Sequence, residues 1–145
     1  MLKQYFAAAL AALITAPTLA PAQDSSRRER YTLPAVQIDA NSFEIIEADG
    51  AGNSQIWCAA GIYAREVLGQ RDGDLAVEVP RGPSQTTPGR RAVVFTTAPV
   101  EGAFSSTSLG IRKAGLTFSA GHAHALCRQF RNLKVRVGPD TLLRR

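Results

Sequence analysis

Two cysteines, two histidines and one tryptophan are all that 145 residues contain of those types. The scarcity narrows the available chemistry before any pattern is considered. No GxxxxGK(S/T) loop is present to cradle a phosphate, and Ser54 does not sit in a GxSxG elbow. Glu44 and Glu47, three apart on an expected strand, face opposite sides and do not form an acid–base pair across one bond. Aromatic side chains do not interleave with the basic ones, so a stacking platform for nucleic acid is absent. There is no internal repeat and no low-complexity tract. No motif identifies a reaction, and none implies a cofactor or a metal.

What is present begins with an export signal. Lys3 supplies a positive start, and Tyr5 to Ile14 is an apolar run without a charge. Small residues follow, with Ala20-Pro21-Ala22 as an A-x-A cleavage site. Cleavage after Ala22 avoids placing Pro21 directly after the scissile bond. The run is about half of the ~20 residues that span a bilayer, so the cleaved protein is not expected to cross a membrane. No twin arginine precedes the run and no cysteine lies near the cleavage site, which argues against a lipid anchor. The expected organisation is a signal at 1–22, a linker or extended lead-in at 23–42 and a single domain at 43–145. The expected location is periplasmic or secreted.

Charge is unevenly spread. Residues 112–145 hold Arg112, Lys113, Arg128, Arg131, Lys134, Arg136, Arg144 and Arg145 against Asp140 alone, whereas acidic residues outnumber basic ones over 23–111. A basic C-terminal third suits an anionic envelope component such as headgroups, wall polymer or an acidic partner. The plainer reading is a solvated face, since 14 of the 17 basic residues are arginine. Nucleic acid is not an expected partner of an exported chain.

Periodicity predicts an α+β domain: a mostly antiparallel sheet packed with about two helices. Tyr31 to Asp39, interrupted by Pro34, is an edge strand or an extended lead-in, and Phe43 to Glu47 is a strand closed by a turn over 49–53. Ile56, Ala59, Ala60, Tyr63, Ala64 and Val67 share one helical face, with Asn53 or Ser54 as cap, a start near Gln55 and Gly69 as stop. Leu75, Val77 and Val79 alternate as a half-buried strand, Pro80 to Arg90 is a loop, and Ala92 to Thr97 is a buried strand. Further strands are expected around Thr107 to Arg112 and at Leu133, Val135 and Val137. A second helix spans 119–130 with Ser119 as its cap.

In an exported domain of this size, Cys58 and Cys127 are expected to form a disulfide. A sharper alternative makes Cys58, in the first turn of its helix, a nucleophile activated by free backbone N–H groups. His122 or His124 would then be the base and Gln55 an oxyanion donor, as in a Cys-His hydrolase acting on envelope peptides. No family signature surrounds QIWCAAG to support it. On a strand, His122 and His124 would share a face and chelate a metal with Cys127. The alanines of GHAHALC favour a helix, where the two rings diverge by about 200°. Trp57 is expected to pack rather than to bind sugar. The leading expectation is a small, exported, non-enzymatic binding or structural domain of the cell envelope, with the Cys-His hydrolase as the alternative.

Overall fold

The computed structural model describes residues 30–144; the expected signal and residues 23–29 of the expected linker or lead-in lie outside the described residues. Along the chain come β1 (Thr32–Gln37), β2 (Ser42–Ile46), α1 (Asn53–Glu66), β3 (Asp74–Pro83), β4 (Arg91–Thr96), β5 (Thr117–Ser119), α2 (Ala120–Ala125), β6 (Lys134–Val137) and β7 (Thr141–Arg144), with a 3-10 turn at Leu126–Gln129 continuing α2. The strands form one sheet in the order β5-β3-β4-β2-β1-β6-β7. Only β1 and β6 run parallel; the other neighbours are antiparallel. The described residues thus form an α+β domain of the expected kind, with one sheet, two helices and a Cys58–Cys127 disulfide.

One face of the sheet carries Leu33, Phe43, Ile45, Leu75, Val77, Phe95 and Val135, all buried in the core that the inner side chains of α1 share. Aromatic rings fill the centre of this layer. Tyr63 stacks on Phe43 at 4.3 Å, and Trp57 meets Phe95 and Phe118 edge-on at 4.9 Å each. Trp57 is fully buried and its Nε1–H donates to the Gly110 carbonyl at 3.2 Å, so it packs rather than presents a sugar platform. α1 is buried from Ile56 through Ala64, wider than a single stripe. The reason is that the helix lies between the sheet and α2, and its small residues admit both neighbours. Val67, expected on the apolar face, falls at the C-cap and is exposed.

Several elements differ from expectation. β1 is an interior strand between β2 and β6, not an edge, and lies within the stretch assigned to linker or lead-in. Pro34 is tolerated because its nitrogen faces the end of β2, whose register with β1 begins only at Ala35. The neighbouring donor on that side, Thr32 N–H, bonds Asp49 Oδ2 at 2.8 Å instead. β3 runs on through Pro80 to Pro83, inside the expected loop, by way of register shifts after Val77 and Val79. Those shifts leave Val79 exposed while Ala76 is buried. Thr107 to Arg112 is not a strand; buried Ile111 anchors it, and the Ile111 carbonyl accepts from Arg81 N–H. β7, formed after the Gly138–Asp140 turn, had no counterpart in the periodicity.

Candidate functional site

α1 starts two residues earlier than expected, at Asn53, with Gly52 as N-cap and the Gln55 side chain accepting from Gly52 N–H at 3.0 Å. Asn53 and Ser54 are therefore inside the helix rather than capping it. Cys58 falls in the second turn, beyond the first four N–H groups that lack helical partners. Its surroundings do not supply the free donors that would stabilise a thiolate. Cys58 is fully buried and bonded to Cys127, with a Cα–Cα distance of 5.0 Å. Gly61, one turn along the same face, lies against the α2 backbone: a Cβ there would stand 2.4 Å from His124 N. Gln55 is engaged in the cap.

Ser119 caps α2 as expected, accepting from His122 N–H at 3.0 Å. The segment is helical, so His122 and His124 diverge around it. The His122 ring stacks on Phe118 at 5.2 Å and lines an open groove of about 470 Å³ with Asp74, Phe104 and Thr117. Neither Cys58 nor His124 lines that groove. Among the described residues no three His, Cys, Asp or Glu side chains group as metal ligands. The structure thus unites Cys58 with Cys127 and leaves His122 in a separate surface groove.

A buried carboxylate escaped the sequence reading. Glu44, 1% exposed, points to the sheet face away from α1. Its oxygens accept from Ser84 Oγ at 2.8 Å, Gln85 N–H at 2.7 Å, Thr86 N–H at 3.3 Å and the Thr86 hydroxyl. Burial pushes the Glu44 pKa up, but the bonds from Thr86, Gln85 and Ser84 outweigh it and hold the carboxyl below its ordinary value. The carboxylate fastens the β3–β4 loop over the middle of the sheet. Only partners 40 or more residues away make Glu44 intelligible, so its own neighbourhood gives no signal.

The basic C-terminal third is not one patch. Arg112 and Lys113 belong to the loop beside Phe104, where Lys113 Nζ lies 4.9 Å from the ring centroid. Arg128 is on the 3-10 turn, and Arg145 lies outside the described residues. Arg131, Lys134, Arg136 and Arg144 gather on or beside β6 and β7, and Arg30, from outside that third, joins them: a groove bordered by Arg30, Thr32 and Lys134 adjoins one bordered by Arg131, Lys134 and Arg144. Among the described residues the single ion pair is Arg81 with Glu47, so no described carboxylate partners any of these five cations.

No family model, no curated protein and no solved structure matches the chain. The class defined by fold and site is a disulfide-bonded α+β domain with a cationic end.

Proposed function

We propose that this chain is an exported binding domain of the cell envelope that engages an anionic component through its β6–β7 end. The observation that carries the reading is the convergence of Arg30, Arg131, Lys134 and Arg144 with no carboxylate among the described residues paired to any of them. Lys134 and Arg144 are direct cross-strand partners, and like charges so placed repel unless an anion lies between or over them. A disulfide fits an oxidising compartment, and no helix among the described residues is long and apolar enough to cross a membrane. The hydrolase alternative requires a reduced, accessible Cys58.

The test expresses the full chain in a bacterial host and follows two readouts. Intact mass before and after reduction and alkylation is expected to show loss of residues 1–22 and no alkylation without reduction. Binding to polyphosphate or to phosphatidylglycerol vesicles is expected, weakening steeply with salt. Cytoplasmic retention with two free thiols, or binding to neither probe at low salt, would overturn the reading. Labelling of unreduced Cys58 by an electrophilic thiol probe would favour the hydrolase.

A further inference from the structure

The sheet has two faces, and the register fixes which side chains share each one. In the row Leu33–Val135–Leu143 all three side chains pack on the core beneath α1. Because successive side chains alternate, the flanking rows point the other way. One is Thr32–Lys134–Arg144 and the next is Pro34–Arg136–Leu142. The loop that Glu44 fastens covers the β2 part of this face, while Arg136, Arg144 and Leu142 are exposed, Leu142 at 44%. Ile38, just past the end of β1, is exposed at 39%. Two acidic groups lie nearby: Asp49, whose carboxylate already accepts from Thr32 N–H, and Asp140 in the β6–β7 turn.

We infer that this β1–β6–β7 face is a docking surface for an anionic lipid bilayer, a conclusion that rests on the proposed anion-binding reading and names its partner. Charge alone would fit any polyanion. The added observation is that the cations share one face with the exposed aliphatic side chain of Leu142, with Ile38 exposed just past the end of β1. An aliphatic group gains nothing against a hydrated phosphate polymer, but it gains when it enters the headgroup–acyl boundary. Lysine and arginine beside an anionic leaflet strengthen binding about fivefold each, and the contribution fades within a Debye length. Arg136 is the central member of its row, between Pro34 and Leu142, so charge and apolar contact act at one spot.

The experiment is co-sedimentation of the full chain, recovered from an exporting host, with phosphatidylglycerol vesicles, phosphatidylcholine vesicles and soluble polyphosphate. Binding is expected to phosphatidylglycerol vesicles and not to phosphatidylcholine vesicles. R136E is expected to weaken it about tenfold, and L142S about fivefold with a larger effect at high salt. Both positions are exposed, so an unchanged Tm checks the fold, and L142F is expected to bind at least as well as wild type. Binding to polyphosphate but not to vesicles would overturn the lipid assignment and leave the anion-binding reading standing. Vesicle binding unchanged by R136E and L142S would overturn the assigned face. Binding to neither probe would overturn both.

Discussion

Gly61 of α1 stands so close to α2 that a Cβ added to it would lie 2.4 Å from the His124 nitrogen and 2.8 Å from the Ala123 carbonyl carbon. Both are backbone atoms of a helix tied by the disulfide at Cys127, so neither yields as a flexible side chain would. Helix propensity alone favours alanine at Gly61 by about 1 kcal/mol. Packing opposes it, and overpacking of this kind costs about 1–3 kcal/mol or more. G61A is therefore expected to lower stability in urea or thermal unfolding. G121A makes the contrast: a Cβ at Gly121 meets its nearest atom at 3.6 Å, an ordinary contact, and the substitution is expected to be neutral or mildly stabilising.

The disulfide one turn from Gly61 joins residues 69 apart. In the chain-entropy account, closing such a loop stabilises a fold by about 4 kcal/mol. C58A/C127A is expected to lose a comparable amount in denaturant unfolding. Thiol titration of denatured, unreduced wild type is expected to find no free thiol.

Glu44 sets an acid limit on the loop above the sheet. Its folded-state carboxyl is held below its ordinary value, so its stabilising contribution is complete above the unfolded-state pKa. That contribution is lost as pH falls through the lower, folded-state pKa. E44Q is expected to cost about 1–3 kcal/mol at pH 7, where wild type keeps its charged acceptor. The gap between the two Tm curves is expected to close in acid. The Gln85 and Thr86 amides, which donate to Glu44, are expected to lose hydrogen-exchange protection in E44Q.

Local pattern was legible where a segment buries one periodic face. The Ala92 to Thr97 run, the Ser119 cap and the α1 stripe follow directly from it. The cysteine pairing followed from count and expected compartment. Legibility failed where distant partners decide. Pro34 discourages a strand locally, yet the register of β2 leaves its nitrogen where no donor is needed. Thr107 to Arg112 is expected as a strand, but it forms a loop whose Ile111 is committed to the core. The basic third looked like one feature in sequence, whereas the fold separates Arg112 and Lys113 from the β6–β7 cluster and brings in Arg30.

That separation supplies the most direct test, because two double charge reversals change net charge equally at different places. R136E/R144E alters the β6–β7 face, and R112E/K113E alters the loop beside Phe104. The measurement is partitioning onto phosphatidylglycerol vesicles at low salt. R136E/R144E is expected to weaken partitioning by well over tenfold, and R112E/K113E by no more than about twofold. Equal losses in the two variants would show that binding follows overall charge, and would contradict a docking site at the β6–β7 end.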